Sequence, residues 1–162
     1  VTVRVGQARG RGDRQGLRVA GLAALLLCLI CQALSFTVMV LAARPIAGWY
    51  APGQPEVIAL ATQLIALAAI FQLSDGLQAV AAGALRGVKD TRVPMLLTAL
   101  AYWVIGMPIA WWLGFEQGMG PRGLWIGFIF ALSAAALMLL TRAWRLLWSR
   151  PQVLGKQRGA ST

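Results

Sequence analysis

One acidic residue, Asp75, stands inside a long apolar stretch of this sequence. Residues 71–85 read FQLSDGLQAVAAGAL and contain no other charged residue. A carboxyl group at membrane depth is costly to place there, and it usually has a function. It either holds a proton, because a low dielectric resists its ionisation, or stays ionised beside a bound cation such as Na⁺. We therefore expect Asp75 to be an intramembrane site for a proton or for Na⁺.

Polar side chains surround this carboxyl at helical spacing. In a helix, Gln72 and Gln78 fall about one turn to either side of Asp75, and Ser74 is its neighbour along the chain. Such a stripe is expected to face the interior of a helical bundle or a water-filled cavity. The alternative, in which Asp75 only forms hydrogen bonds that pack helices together, stays open.

The stretch that holds Asp75 is one of four apolar spans. The chain has 162 residues, of which 59% are hydrophobic and only 12% charged, whereas a soluble domain has about a quarter charged. Each span is near or above the ~20 residues that cross a bilayer as a helix. The sequence predicts an all-α, polytopic transmembrane helical bundle. Its four spans cover about 19–43, 57–85, 93–113 and 123–140, the last extending as far as 148.

Basic residues alternate between the two sides of these spans. The N-terminal segment, the three loops between the spans and the C-terminal tail carry five, one, three, one and five basic residues, in that order. The positive-inside rule then places both chain ends and the 86–92 loop in the cytoplasm. This pattern accounts for the net charge of +10 without a nucleic-acid partner. Residues 1–18 are interpreted as the end of a preceding transmembrane helix and a cytoplasmic loop, and 149–162 as a basic cytoplasmic tail.

Small residues and a proline mark how the spans pack. Gly127, Ala131 and Ala135 form a ladder of small residues at four-residue spacing, which favours close helix approach. Gly106 and Pro108 interrupt the third span, so we expect a kink there, either as a hinge or as a curved packing element. A further expectation is that the acidic residue at position 90 caps the third helix.

Three stretches of the sequence resemble a known family. They are VTVRVGQARGRGD, the block from FQLSDGLQAVAAGALRGVKDTRVP to MPIAWWLG, and GPRGLWIGFIFALSAAALMLLTR. Together they look like the C-terminal part of NorM-type MATE (multidrug and toxic compound extrusion) transporters, from Val1 to about Arg150. The resemblance implies a twelve-helix, two-lobed transporter that exchanges Na⁺ or H⁺ for small organic cations by alternating access. By that likeness the chain supplies the end of helix 8 and helices 9 to 12.

The same resemblance assigns residues. Asp75 matches the acid of helix 10 that the family uses for cation coupling. Phe71 stands where some members have a tyrosine near the cation, so a hydroxyl ligand is missing here. With Gln72, Ser74 and Gln78, Phe71 is a candidate for lining the cation or substrate cleft. The family's helix 7 carries another acid, and that helix and the rest of the first eight are absent. We expect a fragment, inactive alone, of a bacterial inner-membrane antiporter without a cofactor other than its coupling ion.

Other functions compete with transport as interpretations of this sequence. An inactive truncated remnant and a passive membrane scaffold stay open. A related lipid-precursor flippase would more naturally carry basic residues inside its spans to hold a pyrophosphate. Catalysis is not expected, because acid proteolysis needs a pair of carboxyls and only Asp75 lies at depth. Cys28 and Cys31 have C-x-x-C spacing but no second ligand pair for zinc, so packing residues are the better interpretation.

Overall fold

The computed structural model describes residues 1–148, and the predicted basic tail, 149–162, lies outside the described residues. Residues 1–148 form helices and short loops, with no strand among them. In chain order the five helices are α1 (Thr2–Gly10), α2 (Arg14–Tyr50), α3 (Pro55–Gly87), α4 (Arg92–Glu116) and α5 (Pro121–Trp148). Helices α2 to α5 are long and apolar enough to cross a membrane. Each of them contains one of the four predicted spans.

The loop after the first span is much shorter than its prolines and glycines indicate. Helix α2 continues through Pro45 and ends only at Tyr50, and Pro55 begins α3. A proline inside a helix removes one amide donor and crowds the carbonyl four residues earlier. The helix still continues, because the residues after Pro45 keep their own bonds, up to the one from the Ala51 amide to the Ala47 carbonyl. The N-terminal position of Pro55 costs no hydrogen bond, since that amide has no helical partner.

Helix α3, which carries Asp75, lies between α2 and α5 in the bundle. Helix α4 packs on α5, and the short α1 packs on α2 and α3. The end of the bundle that carries the basic 86–92 loop is its basic end. There a buried cluster joins α3 to α5 and consists of Ala81, Leu85, Leu139 and Ala143. Most buried side chains are alanines, so the helices approach through small residues rather than interlocking large ones.

The predicted ladder of small residues on α5 lies in a close contact between α5 and α4. Ala131 and Ala135 are fully buried, and a Cβ atom added to Gly127 would lie 2.5 Å from the Cα of Ala110 on α4. A Cβ added to Gly106 of α4 would likewise collide with the side chain of Ala131. The backbones of α4 and α5 therefore touch along this seam, which confirms the small-residue prediction.

Helix α4 is irregular where the sequence predicts a kink. The wide π-helical turns Ala101–Gly106 and Trp112–Glu116 flank the α-helical segment that contains Pro108. Wide turns of this kind are found at sites where the regular ladder of hydrogen bonds is interrupted. The helix thus passes the proline without breaking. Movement of α4 about Gly106 and Pro108 stays a prediction.

Two loops at the basic end have the same backbone geometry. After α1, the Asp13 amide donates to the Ala8 carbonyl over 2.9 Å, and Gly12 has φ +68°. After α3, the Asp90 amide donates to the Leu85 carbonyl over 2.9 Å, and Lys89 has φ +57°. Both are Schellman motifs, which end a helix with one residue in the left-handed region. These turns bring the start of α2 and the start of α4 to the same end of the bundle.

A pair of glycine substitutions tests the first of these turns. An added Cβ meets nothing within 4 Å at either Gly10 or Gly12, so only backbone conformation distinguishes the two positions. We expect Gly12→Ala to lower the free energy of unfolding by about 1 kcal/mol, because alanine disfavours the left-handed region. Gly10→Ala, inside α1, is expected to raise it by about 0.5 to 1 kcal/mol. Denaturant titration of the detergent-solubilised chain measures both, and equal effects would contradict the turn geometry.

Asp90 does not cap α4 as the sequence indicates. The N-cap is Thr91, without a side-chain hydrogen bond, whereas the Asp90 carboxylate accepts from Nε of Arg142 at 2.6 Å. The N-cap position falls on Thr91, one residue after Asp90, so the Asp90 carboxylate makes its charge-assisted hydrogen bond to the guanidinium and not to the amides of the helix end. The ion pair ties the loop between α3 and α4 to α5.

Candidate functional site

The carboxyl group of Asp75 lies on the face of α3 that the rest of the chain leaves open. Its side chain is exposed, as are those of Ala79 and Arg86 further along the same face. Within residues 1–148 the carboxylate forms no hydrogen bond or ion pair. Helices α2 and α5 cover other sides of α3. The acid is therefore presented outward from this bundle, toward whatever lies against that face of α3.

Gln72 points from α3 toward α2. Its side-chain oxygen accepts a hydrogen bond from the Ser35 hydroxyl at 3.1 Å, and its backbone carbonyl accepts one from the side-chain amide of Gln32. The Nε2 atom of Gln72 is buried without a hydrogen-bond partner among the described residues. Buried amide groups are normally hydrogen-bonded, so this donor is an exception among the polar groups beside Asp75.

Ser74 and Gln78 point to the other side of Asp75. The Ser74 hydroxyl shares a 2.8 Å hydrogen bond with the hydroxyl of Ser133 on α5. Gln78 accepts a 3.4 Å hydrogen bond from the Tyr102 hydroxyl on α4. The predicted stripe is thus divided among three neighbouring helices. A step of three residues turns a helix by about 300°, so each polar residue is rotated by about 60° from the last.

Phe71 contributes to an aromatic contact beside these polar groups. Its ring meets that of Trp125 on α5 edge to face, with centroids 5.6 Å apart and planes at 81°. Aromatic pairs prefer this arrangement because the positive edge of one ring meets the negative face of the other. Phe71 therefore lies against α5, on the same side of Asp75 as Ser74.

A close approach of α2 and α3 brings further groups next to Asp75. An added Cβ at Gly76 would collide with the side-chain amide of Gln32 and would lie 3.0 Å from Sγ of Cys28. Cys28 and Cys31 are both free thiols. The glycine after Asp75 is therefore needed for the side chains of α2 to reach the backbone of α3 at this level.

Five residues of this neighbourhood were missed by sequence reasoning: Gln32, Ser35, Tyr102, Trp125 and Ser133. The spacing of Gln32 and Ser35 could have predicted their role, because polar side chains three residues apart inside an apolar span are expected to face another helix. Nothing in the spacing of the other three indicates which helix they contact. Among residues 1–148 no three His, Cys, Asp or Glu residues lie together as metal ligands. Among the described polar residues around it, Asp75 alone carries a charged oxygen that could contact a cation.

Comparison with known proteins identifies close relatives. The MatE family model matches residues 1–112. The probable multidrug resistance protein NorM of Rhizobium meliloti is 47% identical over 150 residues, which are 90% of this chain and 32% of that protein. The multidrug resistance protein PmpM of Pseudomonas aeruginosa is 46% identical over 146 residues, which are 88% of this chain and 30% of that protein. The chain spans about a third of the length of these curated relatives.

Solved structures show the same helical arrangement. The crystal structure of the eukaryotic MATE transporter AtDTX14 matches with a TM-score of 0.78 at 25% identity, over 87% of this chain and 31% of that chain. An inward-facing multidrug resistance MATE family transporter of the MOP superfamily matches with a TM-score of 0.78 at 18% identity, over 90% of this chain and 34% of that chain.

Proposed function

Because this chain belongs to the MatE family, a family of multidrug transporters, we propose that it forms the last four helices of a cation-coupled multidrug antiporter. In this proposal Asp75 binds the coupling ion, Na⁺ or H⁺, and the transporter exports small organic cations in exchange. The protein is a multi-pass membrane protein with four membrane-length helices. We further propose that it resides in a bacterial inner membrane with its basic ends in the cytoplasm.

The observation that carries this proposal is the position of the Asp75 carboxylate. It lies eleven residues before Arg86, which is roughly 16 Å along the helix from the basic end. A short side chain at that depth does not reach water along the membrane normal. It is exposed on α3 and unpaired within residues 1–148. A membrane-embedded acid in this position needs a partner other than residues 1–148, and a mobile cation serves as one.

The exchange follows from the charge of one carboxylate. An organic cation is attracted to Asp75 when the carboxylate is ionised and lacks a coupling ion. Protonation or Na⁺ binding neutralises the same charge, so the organic cation is released. The order of these events is imposed by the side of the membrane to which the cleft is open. Gln72, Ser74 and Gln78 hold α3 to its neighbours, and Phe71 with Trp125 offers an aromatic surface suited to organic cations.

A chimeric transporter tests this function. The matching part of the Rhizobium meliloti relative is replaced by residues 1–162 of this chain, because the two are 47% identical there. We expect bacteria that lack their own efflux pumps to accumulate less ethidium, a fluorescent organic cation, when they express this chimera. The 162-residue chain alone is expected to give the accumulation of the empty vector, because the facing lobe is missing.

The full-length Rhizobium meliloti relative is the positive control, and the same protein truncated before the replaced part is the negative control. A chimera that reaches the membrane at the level of the full-length relative, yet leaves ethidium accumulation at the empty-vector level, would contradict the proposal.

A further inference from the structure

A cavity of about 310 Å³ lies at the basic end of the bundle, away from Asp75. It is bounded by the turn from α1 to α2, the loop after α3 and the last turns of α5. Its charged lining consists of Arg9, Arg14, Arg18, Arg142, Asp13 and Asp90. The arginines outnumber the aspartates by two, so the cavity attracts an anion.

Both aspartates of this cavity are already engaged by the protein. Asp13 accepts a 2.8 Å hydrogen bond from the Gly16 amide as the cap of α2, and Asp90 pairs with Arg142. Arg9 is half-buried and forms no hydrogen bond or ion pair within residues 1–148. Within the described residues, Arg18 makes one long hydrogen bond of 3.5 Å to the Trp148 carbonyl, and its guanidinium lies 5.9 Å from the centre of the Trp148 ring. A guanidinium has five N–H donors in a planar fork, so most donors of these two arginines remain available to a ligand.

An apolar groove continues from this cavity toward the membrane interior. It runs between α2 and α5 over α3, and it shares Leu147 and Trp148 with the basic cavity. Its deeper lining is wholly apolar and includes Gly21, Leu25 and Leu140. The aromatic rings of Trp144 and Trp148 stack at its mouth, 4.2 Å apart. Tryptophan is enriched at the boundary between headgroups and hydrocarbon, which places the mouth of the groove at that level.

From this arrangement we propose that the cavity binds the phosphate group of an anionic phospholipid, with one acyl chain lying in the groove between α2 and α5. The arginine fork matches the oxygens of a phosphate, and basic pockets between transmembrane helices bind anionic headgroups. A free phosphate or an acidic peptide would use the charged cavity but leave the adjoining apolar groove unexplained. The lipid accounts for both parts of the site.

Native mass spectrometry of the full 162-residue chain in detergent tests this site. Phosphatidylglycerol and phosphatidylcholine with the same acyl chains are added, and bound lipid is counted. We expect one phosphatidylglycerol to bind with about tenfold preference over phosphatidylcholine, as expected for charge-assisted hydrogen bonds. The double variant Arg9→Gln/Arg18→Gln is expected to lose this preference. Arg86→Gln/Arg92→Gln removes the same charge at the same end, outside the cavity, and is expected to keep it.

Two further variants separate the headgroup from the acyl chain and guard against misfolding. Gly21→Leu would fill the groove, since an added Cβ already lies 3.3 Å from Leu147. We expect it to weaken phosphatidylglycerol binding, whereas Gly48→Leu on the same helix, where a Cβ meets nothing within 4 Å, should not. Arg9→Lys/Arg18→Lys retains the charge and is expected to bind the lipid. Circular dichroism checks that each variant keeps its helicity.

Equal lipid preference in the cavity variant and its matched control would overturn the proposal. Displacement of phosphatidylglycerol by inorganic phosphate, together with no effect of Gly21→Leu, would assign the cavity to a soluble phosphate instead and would also overturn it. If the double glutamine variant does not fold, the comparison of Gly21→Leu with Gly48→Leu decides the question.

Discussion

Asp75→Asn is expected to abolish ethidium efflux by the chimeric transporter and to return accumulation to the empty-vector level. Asparagine has nearly the same shape as aspartate but takes up no proton and has no charge to hold Na⁺. Because Asp75 is exposed on α3 and makes no hydrogen bond within residues 1–148, the substitution removes no contact that stabilises the described fold. The loss should therefore appear in transport and not in the amount of protein in the membrane. Fluorescence of cell-associated ethidium, normalised to membrane expression, measures it.

Glu56→Gln provides the matched control for this result. Glu56 lies on the same helix, in its exposed first turn, so the change removes one negative charge from α3 without altering the residues around Asp75. We expect it to leave efflux unchanged. If Asp75→Asn reaches the membrane normally and still exports ethidium, the carboxylate is not the coupling site, and this transporter would have to couple through another group. Efflux lost equally in Glu56→Gln would indicate a general effect of charge and not a site.

The four spans could be predicted from the sequence because a bilayer leaves the backbone few choices. Every amide and carbonyl in the hydrocarbon has to be satisfied within the helix, so apolar length alone predicts a spanning helix. The helix ends follow weaker preferences. The predicted first span ends at residue 43, yet α2 continues through Pro45 to Tyr50, because one missing hydrogen bond does not outweigh the bonds that follow.

The candidate site was only partly predictable, since its polar groups depend on which helix lies opposite. Gln72 and Gln78 are six residues apart, and in the structure they contact α2 and α4 respectively. The spacing of polar residues in α3 does not predict that Ser35 or Tyr102 is the hydrogen-bond partner. The same reason explains Asp90, which was predicted to form a local cap but binds Arg142, 52 residues further along the chain.

The position of Asp75 in turn depends on the α4–α5 seam. Helix α3 is held against α5, and α5 is fixed by its close contact with α4 along Gly127 and Ala131. Ser74 and Gln78, which point to the same side of the acid, bond to α5 and α4. A change that separates these two helices would therefore move the partners of both residues. A substitution that disrupts packing between α4 and α5 is therefore expected also to disrupt the hydrogen bonds beside Asp75.

Gly127→Val is accordingly the substitution for which we expect the largest loss of stability, about 3 kcal/mol or more. A valine side chain would have to occupy space where even a Cβ atom lies 2.5 Å from the backbone of Ala110, so α4 and α5 must move apart. Gly48→Val is the control, because a Cβ at Gly48 of α2 meets nothing within 4 Å. Valine is a better helix former than glycine at both positions, so the two variants change helix propensity by similar amounts and their difference isolates the packing effect.

Titration of the detergent-solubilised chain with sodium dodecyl sulfate, followed by tryptophan fluorescence, measures both variants. We expect the midpoint of Gly127→Val to fall far below that of Gly48→Val, and ethidium efflux by the corresponding chimera to be lost with it. If the two midpoints coincide, α4 and α5 do not touch through Gly127. A stable Gly127→Val protein that no longer exports ethidium would instead show that the seam acts on Asp75 through small displacements of α5, without unfolding the bundle.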